Sequence, residues 1–314
     1  MGMIDIMILT VCMSPSIDVT VELDSLEIGK TNVAKRKRMR AGGKALNVAM
    51  GVSRLGGTAA ITGFMYSENS SLFESMMDRE NIRHSFVMCE GRVRENYKFI
   101  DHRSMLTEVN DVGAPVPEPK LQKLLQRVTL LSQECDVTVI SGGLPQGVGE
   151  SYYAQLFRAV SPHSLRIADA TGRKLSAALS AGVDMVKPNL EELQNFIGRV
   201  LESKEDMIAA CRDLIGMGTK SVMLSMGKNG AILTDGNDAY YCRSSSVAVN
   251  STVGAGDAMV AAAAIKMSKG ASLDEILRAG TAAGTAAVTT FEEFGFPREK
   301  YLEQYETLQI KKIL

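Results

Sequence analysis

Tryptophan is absent from these 314 residues, and histidine occurs only at His84, His102 and His163. No two of these histidines fall at helical spacing, so a histidine-ligated metal or a serine–histidine triad has no support. Cysteine is sparse as well. Cys12, Cys89, Cys135, Cys211 and Cys242 are odd in number, widely separated and without a CxxC pair. Neither a disulfide framework nor a zinc site is expected, and the thiols read as reduced and buried. Long apolar runs are missing. Nothing approaches the roughly 18 uncharged apolar residues of a membrane helix. The opening "MGMIDIMILTVC" carries an acid where a secretory signal carries basic residues, and a cytoplasmic protein with no membrane partner is expected. Charge of one sign is not in excess, with 35 basic and 36 acidic side chains. The dense run "KRKRMR", Lys35 to Arg40, has no interleaved aromatic residue. It therefore reads as a solvated strand face that can draw in phosphorylated molecules, and no nucleic-acid partner is expected.

What is present is enough for a substantial core, since 45% of the residues are hydrophobic. No linker or repeat divides the chain, which predicts one domain over residues 1–314 with a β appendage. From about Asp136, the short runs "DVTVIS", "SLRIADA", "DMVKPN" and "KSVMLS" alternate with segments of helical period. That order predicts an α/β architecture with a mainly parallel sheet between helices. The N-terminal third differs. After a first strand, "IMILTVC", the segments "SIDVTVEL", "TNVAKRKRMR" and "RVRENYKFIDH" read as strands with one wet face. They predict a small separate sheet over one edge of the main layer, drawn from about 14–23, 31–41 and 92–110.

Sites in open parallel sheets lie beyond the carboxyl ends of the strands, so four loops there carry the functional reading. In "TVGAGD", Gly254 and Gly256 permit close backbone approach, and Asp257 opens an apolar helix. The amides of Ala255, Gly256 and Asp257 would face an incoming anion, although Asp257 as a plain helix cap fits equally well. In "RAGGKALNVAMGVSRLGG", Gly42 and Gly43 precede a helix with Leu46, Ala49, Val52 and Leu55 at a spacing of three. Lys44 in its first turn opposes the helix dipole and suggests a bound anion, with a solvated surface lysine as the alternative, and Asn47 follows one turn on. In "VISGGLPQGV", Gly142 and Gly143 follow Ser141 at a strand end and let the backbone come close to a ligand, although a plain strand-to-helix turn fits at least as well. In "MVKPNLEEL", Pro188 and Asn189 end a strand and cap a helix. Glu192 has no evident structural task there and is a candidate water-mediated magnesium ligand.

Two motifs are excluded. "GKT" at Gly29 to Thr31 lacks the P-loop's first glycine, which would fall at Asp24. "GAGDAM" fails the GxGxxG dinucleotide pattern at Met259.

Taken in order, "MSPSIDVTVEL", "AGGKALNVAMGVSRLGG", "SGGLPQGV", "VKPNLEEL", "LSMGKNGAI" and "STVGAGDAMVAA" resemble the ribokinase-like (pfkB) family of carbohydrate kinases. The resemblance spans the whole chain, and within the family it is nearest to the 1-phosphofructokinase and tagatose-6-phosphate kinase branch. It implies a three-layer α/β/α fold with a β-sheet lid, ATP and Mg²⁺ as cofactors, a sugar phosphate as acceptor, and a homodimer clasped through the lid. It further implies Asp257 as catalytic base, with the amides of Gly254, Ala255, Gly256 and Asp257 as an anion hole. Asp18, Gly42, Gly43, Lys44 and Asn47 would line the sugar pocket. Arg94 and Lys98 would meet the substrate's phosphate, with Ser141 and Gly142 nearby. Lys187 and Asn189 would serve the nucleotide phosphates, and Glu192 the metal. Ser225, Gly227, Gly230 and Thr252 would contact ATP, with Ala283 and Gly284 beside adenine. The implied reaction is phosphorylation of fructose 1-phosphate. Tagatose 6-phosphate and fructose 6-phosphate are alternative acceptors, and a non-catalytic sugar-phosphate sensor is the reading of another class. Two positions depart from the family pattern: Ala45 stands for the glycine of "GGKG" and Gly143 for the second serine of "SGSLP". Both put the sugar's identity in doubt while leaving the phosphoryl-transfer residues in place.

Overall fold

The computed structural model describes residues 7–103, 105–245, 247–248, 252–290 and 296–314. Ile6, at the start of the expected first strand, and Ser251, in the "STVGAGD" motif, lie outside them. The chain opens with β1 (Met7–Cys12), β2 (Ser16–Glu22), β3 (Arg36–Gly42), α1 (Lys44–Arg54), β4 (Thr58–Tyr66), α2 (Ser71–Arg79) and β5 (Arg83–Cys89). The hairpin of β6 (Arg94–Ile100) and β7 (Leu106–Asn110) follows, then α3 (Glu118–Leu131). Strands and helices next alternate as β8 (Val137–Ser141), α4 (Ser151–Ala159), β9 (Leu165–Asp169), α5 (Gly172–Ala181), β10 (Val183–Val186) and α6 (Leu190–Ile197). After α7 (Lys204–Gly216) and β11 (Thr219–Ser225) come β12 (Ala231–Thr234), β13 (Ala239–Cys242), α8 (Ala255–Ser268), α9 (Leu273–Thr289), α10 (Arg298–Thr307) and β14 (Ile310–Lys312).

Ten strands form the central sheet in the order β14-β13-β12-β11-β10-β9-β8-β1-β4-β5. The seven from β11 to β5 run parallel, and β12, β13 and β14 are antiparallel additions at one edge. Strands covered on both faces read as near-continuous apolar runs, and β1 and β8 are buried along almost their whole length. Helix α8 is buried from Asp257 through Ala264. Its alanines let α1 and α9 approach closely, and an ideal Cβ on Gly51 of α1 would lie 2.7 Å from Ala261 Cβ. Among the described residues no helix is long and apolar enough to cross a membrane.

The second sheet has the order β3-β2-β6-β7. Alternation gives it two unlike faces. Arg40, Asp18, Asn96 and Asn110 form one cross-strand row, and Met39, Val19, Tyr97 and Val109 form the next row, on the opposite face. Two of the expected spans differ from the strands observed. Strand β3 starts at Arg36, because β2 ends at Glu22, its last partner, and because Asn32 is tied back to Glu27 in a local turn. The span 92–110 holds two strands, which meet where the Asp101 carboxylate accepts from the Arg103 and Met105 amides at 2.8 and 2.9 Å.

Candidate active site

The carboxyl ends of β1, β8 and β9 place Cys12, Ser141 and Asp169 side by side. Above them converge the N-termini of α1 and α8 and the polar face of the small sheet. A cleft of 1410 Å³ runs between these parts, from Asp18, Asn96 and Lys98 at one end to Ser225, Gly230 and Gly284 at the other. Asp257 lies between the two ends, 6% exposed.

Helix α8 starts from Gly254, whose φ of 81° is the left-handed conformation that suits glycine. The amides of Gly256 and Asp257 sit in the first turn, where a helix has no carbonyl of its own to offer them. The Ala255 amide, expected to be free with them, instead donates to the Thr252 carbonyl at 3.4 Å. Asp257 does not cap this helix through its side chain. Its Oδ2 accepts from Asn47 Nδ2 at 2.7 Å, a bond made possible where α1 and α8 touch. Burial, together with the charge of Asp169, pushes the Asp257 carboxyl up to about 7, and Lys44, Asn47 and Lys187 hold it no higher.

Asp169, which lies within the run "SLRIADA" and carries no motif of its own, organises the site. It is 1% exposed and accepts from Lys44 Nζ at 3.0 Å, with Lys187 Nζ at 3.5 Å. Burial alone would raise its carboxyl, but the two ammonium groups outweigh that and hold it below the usual carboxylate range. Lys44 is pulled down by burial and pushed up further by Asp169 and Asp257, so it stays charged. The signal was available, since an acid closing a parallel strand points straight at the binding edge.

Glu192 corrects an expectation. Asn189 Oδ1 accepts from the Glu192 amide and Glu192 Oε2 from the Asn189 amide, both at 2.8 Å, which makes a capping box for α6. It has a structural task after all, while also lining the cleft. Asn189 pairs with Ser225 across the ends of β10 and β11, and both line the cleft beside Lys187, Gly227 and Gly230. Gly230 has a φ of 91°, and an added Cβ would fall 1.9 Å from the Cys242 carbonyl oxygen. Thr252 and Gly284 line the same end, whereas Ala283 faces Ala258 and Ala262 in the core. On α9 the cleft is lined by Thr281, Gly284, Thr285 and Val288 instead.

At the lid end, Asp18 accepts from Ser16 Oγ at 3.3 Å, Asn96 Nδ2 at 3.3 Å and Lys98 Nζ at 3.4 Å. Gly42 does not line the cleft; it backs the Asp18 carboxylate, which lies 3.1 Å from where its Cβ would be. Asn96, Glu108 and Asn110 line the cleft without having been singled out in the sequence. Ser141, Gly142 and Gly143 open onto an adjoining cavity of 240 Å³, which shares Gly43, Lys44, Arg94 and Asp169 with the cleft. All five cysteines are free and buried.

Residues 5–293 match the pfkB family carbohydrate kinase description. A 1-phosphofructokinase of Rhodobacter capsulatus is 32% identical over 309 residues, covering 98% of both chains. One of Xanthomonas campestris pv. campestris is 34% identical over 281 residues, covering 87% of this chain and 88% of that one. The phosphofructokinase-2 of Escherichia coli in complex with fructose-6-phosphate superposes with a TM-score of 0.85 at 27% identity, covering 96% of this chain and 98% of the other. The chain belongs to the pfkB carbohydrate kinase family and is a sugar-phosphate kinase, a phosphotransferase with a sugar hydroxyl group as acceptor. Carbohydrate kinases of this family use ATP, as a rule with Mg²⁺.

Proposed function

We propose that this kinase transfers the γ-phosphoryl group of ATP to the 6-hydroxyl of fructose 1-phosphate, giving fructose 1,6-bisphosphate. The observation that carries the reading is the position of Asp257, in the cleft between the lid's polar face and the glycine-rich wall of Ser225 to Gly230, beside the amides of its own helix. Relatives across nearly the full length bear the name 1-phosphofructokinase.

Asp257 is assigned as the general base, which removes the acceptor hydroxyl's proton as that oxygen attacks. Asn47 orients it, and Gly256 and Asp257 amides receive charge developing on the transferred group. The acceptor's hydroxyls are given to Asp18 and Asn96, and its surroundings to Gly43, Lys44 and Asn47. ATP is placed along Lys187, Asn189, Ser225, Gly227, Gly230, Thr252 and Gly284. Among the described residues no three carboxylate, His or Cys side chains gather as a metal cage. The site therefore fits an ion held chiefly by nucleotide phosphates and water, with Glu192 as its carboxylate partner. Bound there, Mg²⁺ neutralises phosphate charge and orients the chain of phosphates.

Fructose 6-phosphate, accepting at its 1-hydroxyl, is the second reading, favoured by the fold shared with the Escherichia coli enzyme whose complex holds that sugar. Tagatose 6-phosphate would accept at the same position. A coupled ADP-release assay across the three phosphates and the free sugars separates these readings. Highest kcat/KM with fructose 1-phosphate is expected; a preference for a 6-phosphate reverses the assignment.

A further inference from the structure

The lid joins the main sheet through four crossings of the chain. Two of them, residues 13–15 and Gly43, run past the end of β1, the switch point where strand order reverses between β8 and β4. The other two are the legs of the β6–β7 hairpin, residues 90–93 before it and 111–117 after it. Neither leg belongs to a sheet, yet the segment Tyr66 to Asn69 holds both. Ser67 and Glu68 donate their amides to the Cys89 and Gly91 carbonyls, each at 3.1 Å. Asn69 then takes Val93 on both sides. Its Oδ1 accepts from the Val93 amide at 2.7 Å, and its Nδ2 donates to the Val93 carbonyl at 3.2 Å. A side-chain amide here stands in for the backbone of a neighbouring strand. Asn69 lies just before α2, where asparagine is common as a cap, yet both halves of its amide go to Val93. On the other leg, the Tyr66 hydroxyl donates to the Ala114 carbonyl at 3.2 Å. Burial pushes that hydroxyl up to about 12, so it remains a donor at neutral pH.

Arg94 is the residue that both legs reach. It follows Val93 directly, its guanidinium donates to the Asp111 carbonyl at 3.1 Å, and its Cδ lies 3.3 Å from where a Cβ on Gly113 would be. Arg94 lines the main cleft and the adjoining cavity, whereas Lys98 is paired with Asp18. We propose that Asn69, with Tyr66 in support, is a positioning residue for acceptor binding: it fixes where β6 leaves the core and thereby where Arg94 stands. The proposal rests on the sugar-phosphate reading, with Arg94 at the acceptor's own phosphate, and deepens it. Asn69 and Tyr66 line neither the cleft nor the cavity, so they act through Arg94. Each leg carries one glycine in the left-handed region, Gly91 with a φ of 94° and Gly113 with a φ of 80°. Once the Val93 bonds are lost the entry leg can swing at Gly91, and a shift of about 1 Å is enough to weaken a charged hydrogen bond made by Arg94.

The test is a double-mutant cycle in steady-state kinetics with fructose 1-phosphate and ATP, on wild type, Asn69→Ala, Arg94→Ala and the pair. Arg94→Ala is expected to raise KM for the sugar phosphate about 10- to 100-fold, the loss of one charged hydrogen-bonding partner. Asn69→Ala should raise the same KM about 3- to 30-fold, with kcat and KM for ATP within about twofold of wild type. The pair should match Arg94→Ala alone within about twofold, because a side chain already removed cannot be misplaced. Tyr66→Phe, which keeps the ring in the core, should raise the same KM by a smaller factor, and the amides of Arg94 to Ile100 should exchange hydrogen faster in Asn69→Ala. An unchanged sugar-phosphate KM in a folded Asn69→Ala enzyme overturns the proposal and leaves the Arg94 assignment in place, as does a pair whose KM is the product of the two single effects. An unchanged KM in Arg94→Ala removes that assignment and the proposal together. Wild type that phosphorylates only sugars without phosphate would instead remove the sugar-phosphate reading on which both rest.

Discussion

Asp257 and Asp169 are buried in one cleft, and their surroundings drive their acidities apart. Asp169 is paired with two lysines and stays ionised; burial and then the repulsion of Asp169 push Asp257 up to about 7, against the weaker pull of Lys44, Asn47 and Lys187. A base must be unprotonated to work, so kcat/KM should fall roughly tenfold per unit below pH 7 and level off above it. Asn47→Ala removes the hydrogen bond that lowers the Asp257 value, so its acid limb should move to higher pH. A limb unmoved by that change would separate it from Asp257. The same shift bears on stability with a definite sign. The folded value exceeds the unfolded one, so ionising Asp257 is disfavoured by the fold, and stability is lost as pH rises from about 4 through 7. Asp257→Asn should therefore melt above wild type at pH 8, by on the order of a few kcal/mol, and match it near pH 4. The two aspartates differed in legibility. Asp257 stands in a glycine-rich motif, but Asp169 is one acid at the end of an apolar run, and its weight comes from Lys44 and Lys187, which are distant in sequence.

Helices α1 and α8 meet at Gly51 and Ala261, each one turn beyond the residues, Asn47 and Asp257, that bond across the gap. A methyl group at Gly51 cannot fit without parting the helices. Gly51→Ala is expected to cost about 1–3 kcal/mol of stability. It should also lower kcat by more than it raises KM for ATP, because the base loses its orientation. Unaltered kcat in a destabilised protein would show that the helix contact serves packing alone. Most elements could be read from sequence because buried parallel strands and the spacing of Leu46, Ala49 and Val52 leave periodic marks. Within helix α9 the stretch 279–287 holds only Gly, Ala and Thr, so Ala283 and Gly284 look alike in sequence although only Gly284 lines the cleft. Glu192 shows a different failure. The Asn-x-x-Glu spacing is itself a capping signal, and a functional reading hid the structural one.

At the scale of the molecule, the small sheet turns polar rows to the cleft, and on its opposite face the edge residues Met39 and Val109 are 46% and 56% exposed while Val19 between them is buried. We propose that this face pairs with a second copy, as expected for the lid. Val109→Lys should convert a dimer to a monomer in light scattering and weaken acceptor binding, because the lid strands lose support; a wild type that is monomeric at working concentration would contradict this. Lid, switch-point loops and nucleotide wall have one residue in common as their meeting place. The measurement that tests it most directly is turnover by Asp257→Asn together with its ATP affinity. The account predicts a kcat lower by about 10²- to 10⁴-fold with ATP binding kept, whereas near-normal turnover in a folded, ATP-binding variant would contradict it.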